Sequence, residues 1–262
     1  MPHKVDLNVK IDTRESTAKI VIDRLMSKLI MKENDLIGAA FLFDPDGDRL
    51  SVFDLEGQIR SDLILGLLVK YADMPFYQKI FGKKLKVVYD FRVSRAIEEF
   101  LGEQGIKSKV GHTLIKAVMR ENSADLGGEL SGHFYFKEMF YSDSAALAML
   151  KIIKVLNDVK KPIRELIKPF DKYYHSGEVN IESRITNYES RIKEIFKKLK
   201  ENYKNGKINE LDGLTVDFWE KEGWWFNLRP SNTEPVLRLV VETKRKDLLE
   251  TKVEELRGLI FL

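Results

Sequence analysis

The chain has 262 residues, with 44 Lys and Arg against 41 Asp and Glu, a formal net charge of +3 and no cysteine. So even a charge balance, with no dominant basic stripe, argues against a nucleic-acid binder or an acidic tail; the absence of cysteine excludes disulfides, thiolate nucleophiles and Cys-ligated zinc. The 44% hydrophobic fraction is that of an ordinary globular protein, no apolar run approaches the roughly 20 residues of a membrane span, and residues 1–10 lack a signal peptide's apolar centre, so the expectation is a cytoplasmic protein with no membrane partner.

Residues 1–13 are polar and carry no assignment. Ile20, Ile22, Leu25, Leu29 and Ile30 recur at roughly helical spacing and predict a helix over 15–33. Residues 39–43 (AAFLF) and 50–53 (LSVF) read as two strands meeting at a tight turn. Ser61 or Asp62 is the expected cap of a helix containing Leu63, Leu65, Leu67, Leu68 and Tyr71. Residues 86–89 (KVVY) read as a buried strand, Ser94 as the cap of a helix reaching Gly102, and 106–110 as a strand leading through Gly111 and His112 into a helix over 113–122. This β-α-β-α order predicts an α/β unit with a largely parallel sheet. Segments 124–130 and 134–137 continue it, followed by a long helix over 143–159 with Asp143 or Ser142 as its cap. A short helix starts at Pro162, Pro169 stops it, and 173–179 reads as a linker. Beyond it come a strand over 179–182, a helix over 188–204, strands over 213–219, 224–228 and 236–243, and a last helix over 247–259. Strands bunched between two helices predict a small α+β domain. The expected boundaries lie near 75 and 175. They give a partial domain 1–75, a mixed α/β domain 76–175 and an α+β domain 176–262.

Four loops carry chemistry. In Asp44-Pro45-Asp46-Gly47-Asp48-Arg49, three carboxylates alternate. They repel one another unless a cation lies between them, and hard oxygen ligands suit Mg²⁺. The rival readings are a solvated acidic turn and an EF-hand. The EF-hand fits poorly, since Arg49 stands where Gly is needed and Leu55 where Glu is needed. Gly127-Gly128-Glu129-Leu130-Ser131-Gly132-His133 places a carboxylate, a hydroxyl and an imidazole on permissive backbone, a set suited to vicinal sugar hydroxyls; a plain glycine-rich turn is the alternative. Arg229-Pro230-Ser231-Asn232-Thr233-Glu234-Pro235, with Arg238 on the next strand, can surround a phosphate, or can be an ordinary Pro/Ser/Asn turn. Asp90-Phe91-Arg92-Val93-Ser94-Arg95 sits at the carboxyl end of a strand, where ligand sites of α/β units gather. Lys109 and His112 occupy a second strand-to-helix junction, where His112 is either a proton shuttle or a structural histidine.

These loops, in this order, resemble the α-D-phosphohexomutases of phosphomannomutase/phosphoglucomutase type. The metal loop D-P-D-G-D-R, the sugar loop G-E-L-S-G-H, the phosphate loop R-P-S-N-T-E-P and the segment Ser176-Gly177-Glu178-Val179-Asn180 all match, from about residue 35 onward. The resemblance implies a four-domain fold, of which this chain would hold half of the second domain, the third and the fourth. It implies interconversion of hexose 1-phosphate and 6-phosphate through a bisphosphorylated sugar. By resemblance, Asp44, Asp46 and Asp48 bind Mg²⁺ and Arg49 lies near the transferring phosphoryl group. Glu129 and Ser131 hold the sugar's 3- and 4-hydroxyls with His133 beside them. Arg229, Ser231, Asn232, Thr233 and Arg238 grip the non-reacting phosphate. Arg92 stands where many bacterial members have a lysine near the reacting hydroxyl, and His112 matches the family's K-x-G-H histidine. Leu130 and Asn232 point to mannose or glucose phosphates rather than glucosamine phosphates.

One departure counts against a complete enzyme. The family's phosphorylated serine lies in a segment like T-x-S-H-N-P, which these 262 residues lack. Without that donor the cycle cannot close. The expectation is therefore a mutase fragment needing a serine domain from elsewhere, with a separate polypeptide or self-association through the incomplete domain as the partner. An inactive sugar-phosphate-binding module or truncated remnant is the alternative.

Overall fold

The computed structural model describes residues 9–12, 39–73, 85–182, 188–231 and 234–261. The helix expected over 15–33, and the loop residues Asn232 and Thr233, lie outside them. The chain forms two compact units, Met1–Asp171 and Lys172–Leu262.

The first unit holds two sheets. β1 (Val9–Asp12) runs parallel to β2 (Ala39–Phe43), which continues antiparallel through β3 (Leu50–Asp54) and β4 (Gly57–Ile59). Alternation along β2 buries Ala39, Phe41 and Phe43, the pattern of a strand with one face on a core. α1 (Ser61–Leu67) follows, with Arg60 at its N-cap position. Neither Ser61 nor Asp62 caps it as expected. Asp62 lies inside the first turn, where its buried carboxylate accepts from Leu63 N at 2.9 Å and, across the fold, from Ser94 N at 3.0 Å. That carboxylate anchors the loop that precedes the next helix.

The second sheet has the order β6-β5-β7-β8-β9. β5 (Val87–Asp90) is buried along its whole length and pairs in parallel with β6 (Gly105–Ser108) and β7 (Leu126–Gly128). Continuous apolar strands of this kind suit a sheet covered on both faces. β8 (Phe134–Phe136) and β9 (Ser142–Asp143) run antiparallel, so the sheet is mixed rather than largely parallel. α2 (Arg95–Leu101) is capped by Ser94, whose Oγ accepts from Ala96 N. α3 (His112–Asn122) starts at Gly111. α4 (Ala145–Val159) is capped by Ser144, not by Ser142 or Asp143, because β9 holds those two residues in an extended pair with β8. α5 (Ile163–Ile167) ends the unit. One apolar cluster joins Phe41, Leu50, Ile64 and Leu67 to Leu126, Phe134, Met149 and Phe170. It takes residues from both sides of position 75.

In the second unit the strand pairs among the described residues are antiparallel. β10 (Tyr174–His175) and β11 (Val179–Glu182) both pair with β15 (Val236–Thr243), so the stretch expected to be a linker is part of the sheet. β15 continues to β14 (Trp224–Pro230), β13 (Leu214–Asp217) and β12 (Lys207–Asn209), the last an exposed edge strand outside the expected ones. α6 (Tyr188–Asn202) and α7 (Lys246–Phe261) contribute Ile195, Leu199, Leu256 and Ile260 to a core around Trp224, Phe226 and Leu239. This is the small α+β domain that the strand order predicted. Among the described residues no helix is long and apolar enough to cross a membrane.

Candidate functional site

The acidic turn and the glycine-rich turn, 85 residues apart at Asp48 and His133, meet in the first unit. Leu50 N donates to Gly132 O at 3.0 Å, and Arg49 and His133 form an antiparallel bridge. The turn itself is closed by Glu129 N to His133 O at 3.0 Å and Gly132 N to Glu129 O at 3.1 Å. Gly132 has φ +96°, and a Cβ there would lie 2.9 Å from the carbonyl oxygen of Leu50. Gly132→Ala is therefore expected to destabilise the first unit by about 1–3 kcal/mol, seen as faster amide exchange at Leu50. Unchanged exchange would mean that the two turns are not locked together.

Glu129 is the centre of the sugar loop, and only 3% of it is exposed. One oxygen accepts from Gly111 N at 3.0 Å and the other from Tyr135 Oη at 2.6 Å. His133 Nδ1 lies 3.3 Å from the same carboxylate and Arg92 Nη2 3.9 Å from it. Burial opposes the charge, but the hydrogen bonds from His133 and Tyr135 and the Arg92 charge outweigh it and hold the pKa at about 2. Glu129 is thus a fixed, ionised acceptor. His133 stands between two carboxylates, with Nε2 3.3 Å from Asp48 Oδ2 and Nδ1 3.0 Å from Ser131 Oγ. Burial works against its protonated form, yet Glu129 and Asp48 together move its pKa up. Ser131 is exposed on the turn.

The Asp90 loop braces this turn from below. Asp90 is fully buried and accepts from Leu130 N at 3.0 Å. Arg92 donates to Asp90 through its backbone N–H at 2.7 Å, Nε at 3.0 Å and Nη2 at 2.7 Å. The pair is a buried, bidentate ion pair beside Glu129. Arg92 lies 3.9 Å from Glu129 as a buried group engaged by Asp90. His112 is exposed at the start of α3, one residue past the Gly111 N–H that Glu129 accepts. Sequence reasoning missed Tyr135 and Asp90 as partners of Glu129's loop. Tyr135 is a buried strand residue whose hydroxyl needs an acceptor, and that need was the available signal.

Asp44, Asp46 and Asp48 each offer a carboxylate oxygen within 4.8 Å of the others. Gly47 N donates to Asp44 O at 3.0 Å, closing the turn. Arg49 donates to Asp44 through its backbone N–H at 3.0 Å and Nε at 2.5 Å, and Asp44 is held at about 2 by these bonds against the effect of burial. Asp48 is pushed up by burial and by Asp44 and Asp46, against the pull of His133. Its Oδ1 is shielded from solvent and accepts no hydrogen bond. Three carboxylates gathered within one turn, with one Asp48 oxygen that accepts no hydrogen bond and has only the Arg49 Nε charge 3.7 Å away, fit a hard divalent cation.

In the second unit, Arg229 and Arg238 lie directly opposite one another on β14 and β15. Glu178 accepts from Arg229 Nη2 and from Arg238 Nη1, both at 2.9 Å. Arg238 Nη2 also donates to Glu234 at 3.0 Å. Ser231 shapes the loop: its N–H donates to Val236 O at 2.9 Å and its Oγ accepts from Glu234 N at 3.3 Å.

Both units resemble known proteins. Residues 60–173 match the description phosphoglucomutase/phosphomannomutase, alpha/beta/alpha domain III, and residues 186–259 match the C-terminal domain of the same family. The phosphomannomutase of Methanocaldococcus jannaschii is 40% identical over 239 residues, covering 89% of this chain and 49% of that protein. A phosphoglucomutase/phosphomannomutase family protein of Burkholderia thailandensis has the same fold, with a TM-score of 0.73 at 24% identity over 97% of this chain and 60% of that one. The Aspergillus fumigatus N-acetylphosphoglucosamine mutase shares it too. Its complex with glucose 1,6-bisphosphate gives a TM-score of 0.69 at 13% identity, covering 98% and 61% of the two chains. Its complex with GlcNAc-6P and magnesium gives 0.58 at 14% identity, covering 91% and 52%. This chain belongs to the α-D-phosphohexomutase family. It spans about half the length of the curated relatives it matches.

Proposed function

We propose that the chain carries the metal, sugar and phosphate loops of a phosphohexomutase of phosphomannomutase/phosphoglucomutase type, interconverting hexose 1-phosphate and 6-phosphate through a bisphosphate. One observation carries this reading: the acidic turn is hydrogen-bonded to the Glu129–His133 turn, in which Glu129 is buried and Leu130 N is held by Asp90. A hexose phosphate has vicinal hydroxyls and a phosphate, and the chain has a loop suited to each. A. fumigatus N-acetylphosphoglucosamine mutase, of the same fold, was solved with such ligands and with magnesium.

In this reading Asp44, Asp46 and Asp48 hold Mg²⁺, which when bound offsets negative charge on the transferring phosphoryl group. Arg49 adds positive charge beside it. Glu129 and Ser131 accept from the sugar's 3- and 4-hydroxyls, and Glu129 does so without moving, because Gly111, Tyr135 and Arg92 fix it. His133, drawn toward protonation by Glu129 and Asp48, donates to a sugar oxygen. His112 projects from the start of α3 near the same turn and serves the proton transfer. Arg229, Ser231, Asn232, Thr233 and Arg238 take the phosphate that does not react. Leu130 and Asn232 favour mannose or glucose phosphates. The phosphoryl group is given by a phosphoserine and a phosphoryl group returns to the serine so freed, on a serine domain that these 262 residues do not include, carried by another segment or another polypeptide.

A binding module without catalysis is the second reading. It is favoured by Arg92, which is locked to Asp90 and too basic to exchange a proton near neutral pH. A mutase assay decides between the two. Purified chain with Mg²⁺, mannose 1-phosphate and a catalytic amount of the bisphosphate should turn over only when a serine domain is added. Saturable binding with no turnover even then would favour the module.

A further inference from the structure

We propose that Glu178 is the positioning residue of the phosphate loop, a single carboxylate that bridges Arg229 and Arg238 and aligns their guanidinium groups for a phosphate dianion. This rests on the reading above that the loop takes phosphate. Like charges directly opposite on neighbouring antiparallel strands destabilise the pair. Arg229 and Arg238 occupy such positions, and Glu178 accepts from both at 2.9 Å, one arginine on each oxygen. It reaches them from the residue before β11, 51 and 60 positions away in sequence. Arg229 is 3% exposed, so its guanidinium has little freedom beyond this contact.

The network is also short of acceptors. Nε of Arg229 and Nε of Arg238 are both buried and have no hydrogen-bond partner among the described residues. A buried donor without an acceptor is costly, and two adjacent guanidinium groups in that state form a site that an added anion completes. Glu178 then has two effects of opposite sign. Its charge repels phosphate, while its geometry holds both arginines on one side of the sheet. We infer that geometry dominates, because a bidentate Arg contact with a phosphate depends on a fixed fork orientation.

The sign of one experiment separates the two effects. Inorganic phosphate and mannose 6-phosphate are titrated calorimetrically into the wild-type chain, Glu178→Gln and Glu178→Asp. Charge alone predicts that both substitutes bind as tightly or, for Gln, more tightly. Positioning predicts that Glu178→Gln loses about tenfold in affinity for both ligands, despite its gain of positive charge. It also predicts an intermediate loss for Asp, which keeps the charge but shortens the bridge. In parallel, the Nε–H signals of the two arginines should be resolved in a nitrogen-correlated proton spectrum of the wild type and exchange-averaged in Glu178→Gln. Tryptophan fluorescence confirms that each variant folds, since Trp219, Trp224 and Trp225 all lie in this unit. Equal or tighter phosphate binding by Glu178→Gln overturns the inference alone. Failure of the wild type to bind either phosphate overturns the phosphate reading and this inference with it.

Discussion

Glu129→Ala is expected to destabilise the first unit by about 3–5 kcal/mol, the usual cost of removing one partner of a buried charge network. The carboxylate accepts from Gly111 N and Tyr135 Oη and lies within 3.9 Å of the Arg92 guanidinium. Truncation leaves all three without it, and Tyr135 and Arg92 are themselves buried. Glu129→Gln keeps the shape and one good acceptor but turns an amide N–H₂ toward a donor, so its cost should be smaller, about 1–3 kcal/mol. The pH dependence has a definite sign. The folded pKa of Glu129 is about 2, below the ordinary 4.5. A depressed carboxylate pKa adds stability that is fully present above about pH 4.5 and is lost as the pH falls through about 2. The wild type should therefore lose more stability over that interval than Glu129→Gln, by on the order of 3 kcal/mol. Amide exchange in β5, β7 and β8 is the right probe, because tryptophan fluorescence reports only the second unit. Identical exchange in Glu129→Gln and wild type at pH 7 would show that the network is not a structural keystone.

Asp46→Asn should behave in the opposite way, with little effect on stability and a large one on metal affinity. Asp46 is exposed, whereas Asp44 and Asp48 are partly buried and joined to Arg49 and His133. A surface substitution of this kind usually changes stability by within about 0.5 kcal/mol. Removing one of three charges also relieves repulsion in the metal-free turn. Loss of a direct ligand should lower Mg²⁺ affinity by at least about 100-fold, more than loss of an outer-shell partner does. Calorimetric Mg²⁺ titration of wild type and Asp46→Asn measures this. Equal affinities would mean that the acidic turn is a solvated turn and nothing more.

What could be read from the chain follows from how local each signal is. β2, β3 and the turn between them were legible because alternation and the D-P-D-G-D-R spacing are contained in about a dozen residues. The C-terminal strand cluster was legible for the same reason, since Trp224, Phe226 and Leu228 alternate toward a single core. The cap of α4 was misplaced because Ser142, Asp143 and Ser144 are all good caps. Only the pairing of β9 with β8 decides among them. Tyr174–His175 looked like a linker because two residues are too few to show a period, and their strand character comes from β15. The bracing of the site was the least visible part. Asp62 reaches Ser94, Asp90 reaches Leu130, and Glu178 reaches both arginines, over separations of 32 to 60 residues. No pattern within a window reveals such contacts. The candidate loops could be found in the sequence, whereas the groups that brace them could be found only in the fold.

The proposed function assigns sugar hydroxyls to the Glu129 loop and phosphate to the Arg229 loop. The most direct measurement is a parallel titration of mannose 6-phosphate and inorganic phosphate into the wild type, Glu129→Gln and Arg229→Lys. The account predicts that Glu129→Gln weakens the sugar phosphate while leaving inorganic phosphate unchanged, and that Arg229→Lys weakens both. Sugar-phosphate binding that is indifferent to either substitution would contradict it.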